Sequence, residues 1–182
     1  MTRIIVRAVR DRIGYIEYLQ DKLPEAEWCF DTQRNAMHTF LMALKMAGDE
    51  PVVHMEEDVL LVPNFKQRLE AEIAKRPDKV IQFFSMRKKD LLVGSRWDND
   101  FLMGQCFYLP AGYSKKILEF HDIWEDLPLH PNGLDTMVCA YLKKMRENYW
   151  IHIPNLVDHR IGKSVINPRR SSKRISKTFK AE

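Results

Sequence analysis

Short apolar runs with strand character alternate with longer segments of helical periodicity through the first 84 residues. Each run rich in β-branched and aromatic residues is followed by a segment whose apolar residues recur every three or four positions. The predicted strands are 3–9, 27–31, 52–56 and 79–84, and the helices between them begin near Asp11, Asn35 and Pro63. This alternation predicts an α/β protein, a Rossmann-like α/β/α sandwich with a mainly parallel mixed sheet.

The second half of the chain has a less regular pattern. We predict a strand over 101–109, a short helix from about Ser114, a helix over about 134–147 and a strand over 149–153. Neither an internal repeat nor a low-complexity linker interrupts this pattern, and 182 residues suffice for one domain with a sizeable core. We therefore predict a single domain over residues 1–160 and a separate tail over 161–182.

The predicted tail differs from the rest of the chain in charge. From Arg160 onward there are eight lysines and arginines and one acid, a charge of +7, whereas the remainder carries −3. A basic segment of this kind suits contact with a nucleic-acid backbone or another anionic surface, because neutralising phosphates releases counterions. A solvated C-terminus without a binding role is the alternative.

The strand predicted over 52–56 runs directly into three acids, Glu56, Glu57 and Asp58. Carboxylates this close together at the end of a buried strand repel one another and lose hydration, so they stay ionised readily only beside a cation or a cluster of donors. Mg²⁺ and Mn²⁺ prefer oxygen ligands of this kind and usually share them with phosphate. The cluster predicts a divalent-metal site, with a solvent-facing acidic turn as the alternative.

Two more charged residues lie where the predicted strands end. Arg7 is near the end of the first strand and Asp31 closes the second. In a parallel sheet these ends meet at one edge, and ligands of open α/β sheets bind there. We therefore expect both residues beside the acidic cluster.

Cysteine usage and hydropathy bear on the compartment. The three cysteines are widely spaced and form no CxxC pair, which argues against a disulfide framework or a zinc site and favours a reducing compartment. The chain passes from Met1 directly into a strand-like run, and its apolar stretches are all shorter than the ~20 residues of a membrane span. These features predict a cytoplasmic protein without a signal peptide.

Several short motifs follow one another in an order found in a known enzyme family. After an opening strand and Asp31 with Arg34-Asn35 come Val-His-Met-Glu-Glu-Asp-Val at 53–59, Phe-Tyr-Leu-Pro-Ala-Gly at 107–112, His-Pro-Asn-Gly-Leu-Asp at 130–135 and Pro-Asn-Leu-Val-Asp-His at 154–159, leading to Ser-Val-Ile at 164–166. The set spans about Arg3 to Lys177 and resembles the small GT-A-type, family 25-like glycosyltransferases found in many bacteriophage genomes. Such families usually show Glu-Asp-Asp, and Glu57 here replaces the first Asp.

The resemblance implies a metal-dependent glycosyltransferase that takes its sugar from a nucleotide-sugar donor. By analogy Asp58 ligates Mn²⁺ or Mg²⁺, Glu56 contacts the ion through water or holds the ribose, and His159 completes the site. Neutral imidazole is a sound Mn²⁺ ligand, although His159 could also be an ordinary polar residue at a strand end. The nucleotide-sugar contacts implied are Arg7, Asp31, Arg34, Glu56 and Glu57; Arg7, Asp31 and Arg34 could each be surface charge instead.

Asp135 is the candidate general base. A carboxylate near the acceptor hydroxyl could take its proton as the sugar carbon is attacked, which typically contributes about 10²–10⁴-fold. Asp135 also suits the start of a helix, where exposed amides and the helix dipole favour an acid. If the enzyme retains anomeric configuration, Asp135 only orients the acceptor.

The predicted acceptor is DNA that carries a hydroxymethylated pyrimidine, with a lipopolysaccharide or other glycan as the alternative. A base in a duplex would have to leave the stack to reach a donor at the sheet edge. The residues that we expect to contact the acceptor are Arg96, Trp97, His130, Arg169 and Arg170.

Two readings from other classes remain open. One is a nucleic-acid-binding module that has lost catalysis, and the other, ranked last, is a metal-dependent nuclease. The sequence carries no signal for oligomeric state, for the sugar, or for Mn²⁺ over Mg²⁺ beyond the possible histidine ligand.

Overall fold

A computed structural model describes residues 2–124, 133–162 and 174–181. Along the described chain the elements are β1 (Arg3–Val9), α1 (Ile13–Lys22), β2 (Glu27–Asp31), α2 (Ala36–Ala47), β3 (Val52–Glu56), β4 (Val59–Leu61), α3 (Phe65–Lys75), β5 (Ile81–Gln82), α4 (Asp90–Val93), β6 (Arg96–Asp98), β7 (Cys106–Leu109), α5 (Tyr113–His121), α6 (Leu134–Met145), β8 (Tyr149–Ile151) and β9 (Val157–His159).

Seven of these strands form one sheet in the order β2-β1-β3-β7-β5-β8-β6. Five of them run in one direction, while β7 and β6 are reversed. Strands β4 and β9 pair separately as a small antiparallel sheet. The prediction of an α/β fold with a mainly parallel mixed sheet is confirmed.

Side chains of the sheet alternate between two apolar clusters, one on each face. Ile5 packs in a cluster with α2, α5 and α6, whereas its neighbours Ile4 and Val6 pack with α1 and α3. Successive residues of a strand point to opposite faces, so a run of consecutive apolar residues is what a strand covered on both sides requires. The result is a helix–sheet–helix sandwich.

The first two helices differ in how their starts are capped. Asn35 caps α2, with its Oδ1 accepting a hydrogen bond from the His38 amide at 3.1 Å. The first helix, which the sequence predicts to begin near Asp11, has Arg12 at its cap position, and Arg12 makes no side-chain cap bond. Asp11 Oδ2 instead accepts a bond from Arg34 Nη2 at 3.1 Å, because its side chain is one residue too early to reach the helix amides.

Several strands are shorter than predicted. The run over 101–109 forms a strand only at Cys106–Leu109, since Met103 takes a positive φ of 72° that breaks regular pairing before it. The run over 79–84 forms a strand only at β5, although Phe83 still donates its amide to the Cys106 carbonyl at 2.9 Å. The short elements β4, α4, β6 and β9 were not predicted, because three or four residues carry too little periodicity to be recognised.

The end of the chain packs on the domain. The Ser176 amide donates to Asp158 Oδ1 at 2.6 Å, the Asn155 amide donates to Thr178 Oγ1 at 3.2 Å, and Phe179 packs against the cluster formed with α1 and α3. Residues 174–181 therefore pack on the surface of the domain. The domain boundary that the sequence predicts at residue 160 stays a prediction.

Two further features of the fold concern the cysteines and the hydropathy of the helices. Cys29, Cys106 and Cys139 are free thiols in buried positions. Over the described ranges, the helices are all too short or too polar to cross a membrane.

Candidate functional site

The carboxyl ends of β1, β2 and β3 meet at one edge of the sheet, as the sequence predicts. Parallel pairing sets Arg7 opposite Glu56 and Val9 opposite Asp31. The Glu56 amide donates to the Gln105 carbonyl at 2.8 Å, and the Glu57 amide donates to the Arg7 carbonyl at 3.1 Å. These backbone bonds fix the start of the acidic turn at the sheet edge.

The small β4–β9 sheet brings a histidine to the acids from about 100 residues away. Its register pairs Val59 with His159, and the Arg160 amide donates to the Asp58 carbonyl at 2.8 Å. Because Val59 follows Asp58 directly, this pairing places the imidazole beside that carboxylate. The predicted meeting of His159 with the acidic cluster therefore depends on two three-residue strands.

Glu56, Asp58 and His159 offer three ligand atoms within 4.8 Å of one another. Asp58 and His159 are buried and Glu56 is half-buried, and His159 Nε2 lies 3.2 Å from Asp58 Oδ2. The other ring nitrogen, Nδ1, is 2.6 Å from the Arg160 carbonyl, so it carries a proton and donates there, and Nε2 is the ring atom that faces the acids. A backbone partner on the second nitrogen is the usual arrangement of a metal-binding histidine.

The donor set suits a divalent ion. Two carboxylates and one imidazole fit Mn²⁺ well, and Mg²⁺ less well because of the nitrogen. One buried carboxylate oxygen, Asp58 Oδ1, has no hydrogen-bond partner among the described residues. An ion bound by these three side chains would satisfy it.

Two arginines supply positive charge at this site. Arg12 Nη1 lies 2.6 Å from Asp58 Oδ2 and 2.9 Å from Glu57 Oε1. Arg174 Nη2 lies 2.9 Å from His159 Nε2. Neither residue was predicted to lie at the site: Arg12 belongs to no motif of the sequence, and Arg174 is one of the eight bases from Arg160 onward.

The protonation of the acids reflects their burial. Burial, and then the charge of Asp58, raise the pKa of Glu57 to about 7. Burial and Asp58 also raise the pKa of Glu56. Burial opposes ionisation of Asp58 as well, but the hydrogen bond from His159 and the charge of Arg12 outweigh it and lower its pKa. Without a metal ion, the cluster therefore holds more protons than three ordinary carboxyls would.

His159 Nε2 faces two groups, Asp58 and Arg174, that favour opposite protonation states of this nitrogen. Burial and the charge of Arg174 lower the pKa of the imidazole, but the hydrogen bond and charge of Asp58 outweigh them and raise it. The Arg174 contact, by contrast, requires an unprotonated Nε2, because an N–H needs a lone pair to donate to. A metal ion at Nε2 would resolve this competition in favour of the neutral ring.

Arg7 is a buried cation at the floor of the site. Its Nη2 donates to the Gly104 carbonyl at 2.6 Å and lies 3.8 Å from Glu56 Oε1, and its guanidinium stands 5.3 Å from the ring of Phe40. Burial lowers its pKa. The group is held rigidly, so it offers a fixed positive charge at the edge where a ligand is expected.

Asp31 and Arg34 lie at the turn that follows β2. Asp31 Oδ1 accepts bonds from the Gln33 amide at 2.9 Å and the Asn35 amide at 3.3 Å, while its Oδ2 is buried without a partner in the described part of the chain. Arg34 is exposed and pairs only weakly with Asp11. Asp31 thus shapes the turn and keeps one oxygen for a ligand; nucleotide contact by either residue stays a prediction.

The candidate base is tied to the site through the loop 103–105. Asp135 Oδ2 accepts a bond from the Met103 amide at 3.0 Å, and the next two carbonyls of this loop bond to Arg7 and to the amide of Glu56. Asp135 is half-buried and sits in the first turn of α6, as expected for a helix-start acid. A carboxylate has lone pairs beyond those used here, so the geometry is compatible with both readings of Asp135.

Two of the five predicted acceptor contacts, Arg96 and Trp97, lie away from the acidic cluster. Arg96 and Trp97 are on β6, at the sheet edge four strands from β3, about 19 Å away at ~4.8 Å per strand. Arg96 pairs with Asp90 at 2.9 Å, and Trp97 is 47% exposed with its ring against Trp150. The other three, His130, Arg169 and Arg170, fall outside the described residues.

Comparison with known proteins gives a fold and no family. No model of a protein family and no curated protein matches the sequence. Among solved structures, the chain is similar to A197 from STIV, with 14% identity over 93% of this chain and 92% of that one and a TM-score of 0.56. It is also similar to a UDP-glucose pyrophosphorylase solved with UDP-glucose, with 11% identity, 82% and 72% coverage and a TM-score of 0.50. At such identities the likeness shows a shared fold.

Proposed function

We propose that this protein is a metal-dependent glycosyltransferase that moves a sugar from a nucleotide-sugar donor to a hydroxyl acceptor. The observation that carries the proposal is the convergence of Glu56, Asp58 and His159 at the carboxyl edge of the sheet, with ligand atoms within 4.8 Å of one another. This edge is where open α/β sheets bind their ligands, and the donor set fits Mn²⁺ or Mg²⁺. Hard cations at such edges commonly share their carboxylates with phosphates.

The donor class is supported by the fold. The pyrophosphorylase with which the chain shares its fold was solved with UDP-glucose. Fixed positive charge from Arg7 flanks the acids here, as does the Asp31 oxygen that has no partner among the described residues, and a diphosphate and a ribose or base would require such groups. We therefore assign a nucleotide sugar as donor, with Arg7, Asp31, Arg34, Glu56 and Glu57 as its candidate contacts.

The residues divide the reaction between them. Asp58, Glu56 and His159 would hold the ion, which would supply Lewis-acid stabilisation of the departing diphosphate. The bond between the anomeric carbon and the diphosphate oxygen breaks, the acceptor oxygen bonds to that carbon, and the acceptor proton passes to a carboxylate Oδ of Asp135 if configuration inverts. In a retaining reaction Asp135 only orients the acceptor.

The acceptor in this proposal is DNA with a hydroxymethylated pyrimidine. The protein would meet it in the cytoplasm, which is that of the host cell if a phage encodes the protein. The support is the charge of the C-terminal region, since four of its bases lie between positions 163 and 173, just before the segment that packs at the site. These bases, which include Arg169 and Arg170, could follow a phosphate backbone while the base enters the site.

A glycan acceptor is the second candidate, and one surface feature favours it. Leu91, Leu92 and Val93 form an exposed apolar run next to the exposed Lys88, and Leu92 is 90% exposed. A lipid-linked glycan would bring an apolar, anionic surface suited to such a run.

The experiment that distinguishes these acceptors is transfer to defined DNA. Duplexes with hydroxymethylcytosine, hydroxymethyluracil or unmodified bases are incubated with Mn²⁺ and a panel of sugar nucleotides, then digested and analysed by mass spectrometry. A hexose- or pentose-sized mass gain on the hydroxymethylated base alone supports the proposal. Donor hydrolysis without any mass gain on DNA moves the acceptor to a glycan.

A further control separates an enzyme from a binding module. If the protein is an enzyme, Asp58→Asn should reduce turnover by orders of magnitude and leave DNA affinity unchanged. If wild-type protein binds DNA without turning over any donor and without any effect of metal, the binding module replaces the enzyme.

A further inference from the structure

The strand that carries the metal-site histidine also anchors the end of the chain. Asp158, next to His159 on β9, accepts the Ser176 amide at 2.6 Å. Asn155 Nδ2 donates to Ser176 Oγ at 2.7 Å. Arg174 lies two residues before this anchor, so the position of its backbone is set by the same strand that positions the imidazole.

The contact between Arg174 and His159 involves the nitrogen that a metal ion would need. Nδ1 is engaged with the Arg160 carbonyl, which leaves Nε2 as the ligand atom, and Arg174 Nη2 stands 2.9 Å from it. A single lone pair cannot accept an N–H and bind a metal ion at once. The Arg174 guanidinium and a metal ion are therefore alternative occupants of the same position.

A displaced guanidinium would need a new anionic partner. Arg12 already occupies Asp58 and Glu57, and a metal ion would neutralise Glu56 and Asp58 further. The bonds of Ser176 hold the backbone two residues away, so Arg174 stays within side-chain reach of the site. A diphosphate bound there would bring new negative charge, and a guanidinium fork matches phosphate oxygens bidentately.

We propose that Arg174 takes the place of the metal ion in the metal-free protein and becomes a diphosphate-binding residue when metal and donor are present. The inference rests on the proposed function, since it takes the metal site and a diphosphate ligand as given. It gives the C-terminal segment a role within the donor site, distinct from contact with the acceptor.

The test uses Mn²⁺ alone and inorganic pyrophosphate as probes, so that no knowledge of the nucleotide or sugar is needed. Wild type and Arg174→Gln are compared by Mn²⁺ titration followed by electron paramagnetic resonance, and then by calorimetric titration of pyrophosphate into the Mn²⁺-loaded proteins. Arg174→Gln should bind Mn²⁺ alone about 3- to 10-fold more tightly, because nothing has to be displaced. It should bind pyrophosphate about 10-fold or more weakly, the range of one lost charged hydrogen bond.

The controls separate this role from a structural one. Lys177→Gln removes an exposed charge from the same segment and should change neither affinity. Arg174→Lys should recover part of the pyrophosphate affinity. Thermal unfolding of each metal-free variant confirms that it folds.

Opposite changes in the two affinities support the proposal. Equal weakening of both, or no change in either, overturns it and leaves Arg174 as a structural residue. A wild-type protein that binds no Mn²⁺ fails at the metal site itself, which removes the metal-dependent function as well and is seen before any variant is made.

Discussion

At the scale of single residues, the site is a set of buried acids whose charge must be balanced. Asp58 is paired with Arg12 at 2.6 Å and with His159 at 3.2 Å, while the pKa of Glu57 is raised to about 7 by burial and by Asp58. Stability alone gives little reason to collect such charges, since buried ion pairs are often no better than apolar packing. Their convergence is better explained by a bound cation.

His159 provides the sharpest residue-level prediction. His159→Ala removes one of three ligands and should weaken Mn²⁺ binding by about 100-fold or more, beyond the 10–100-fold typical of a lost outer-shell partner. Titration with Mn²⁺ followed by electron paramagnetic resonance measures the change. His152→Gln, which alters a histidine paired with Glu72 instead, is the matched control and should bind Mn²⁺ like wild type. Equal Mn²⁺ affinity in His159→Ala and wild type would remove this histidine from the metal site.

His54 provides a prediction about pH. The ring is fully buried between Phe40 and Phe107, and burial and then the charge of Arg7 hold its pKa well below 6.5. Below pH 6.5 the unfolded chain binds a proton here that the folded protein does not, so the free energy of unfolding falls as the pH falls. We expect this contribution of His54 to decline between pH 7 and 5, whereas the raised pKa values of Glu56 and Glu57 act in the opposite direction, so it is measured by urea denaturation with EDTA present as the difference between wild type and His54→Leu.

His54→Leu removes this contribution, so wild type should lose stability relative to the variant as the pH falls. Neither ring nitrogen has a partner among the described residues, so the substitution removes no hydrogen bond and should cost little at pH 7. An unchanged pH dependence in His54→Leu would show that other groups control acid stability.

At the scale of elements, the loop 103–105 connects the candidate base to the rest of the site. Its three residues bond in turn to Asp135, Arg7 and Glu56. A Cβ at position 104 would lie 2.4 Å from Leu134 Cδ1 in the core, so the Leu134 side chain or the loop would have to shift to accept one.

Gly104→Ala should destabilise the protein by about 1–3 kcal/mol, the usual range for overpacking a core. Chemical denaturation measures it. A double variant with Leu134→Ala removes the clashing atom and should be less destabilised than the sum of the two single variants. Simple additivity would mean that the chain accommodates the methyl group without strain.

The same elements show how far the sequence could be interpreted. Runs of β-branched or aromatic residues predicted β1 and β2 at their observed bounds, and parallel pairing then placed Arg7, Asp31 and the acids at one edge. The contributions of Arg12 and Arg174 could not be predicted. Both arginines reach the site through contacts between residues far apart in the chain. The β4–β9 pairing and the hydrogen bond of Ser176 to Asp158 leave no periodic pattern in the sequence.

At the scale of the whole molecule, the basic C-terminal region contains both a residue that packs at the site and bases that are exposed. Arg174 contacts the metal-site histidine, whereas Lys177 and Lys180 are exposed. Lys163, Arg169, Arg170 and Lys173 lie outside the described residues. If these four contact a DNA backbone, they should determine how strongly binding depends on salt.

Replacing these four bases with glutamine should reduce the magnitude of the negative slope of log affinity against log salt by about 3 to 4, since each neutralised phosphate contributes ~0.9 on B-DNA. Fluorescence anisotropy with a labelled duplex from 50 to 200 mM salt measures the slope. Lys45→Gln with Lys115→Gln, two exposed lysines on α2 and α5, is the control and should leave it unchanged. A slope that survives the quadruple substitution would place DNA on another surface.

The most direct test of the account is nucleotide release from a panel of sugar nucleotides, measured for wild type and Asp58→Asn with Mn²⁺ or EDTA. We predict that wild type turns over at least one donor with Mn²⁺, that EDTA stops it, and that Asp58→Asn reduces the rate about 100-fold or more while remaining folded. Turnover that persists in EDTA and in Asp58→Asn, or no turnover of any donor, would contradict a metal-dependent glycosyltransferase at this site.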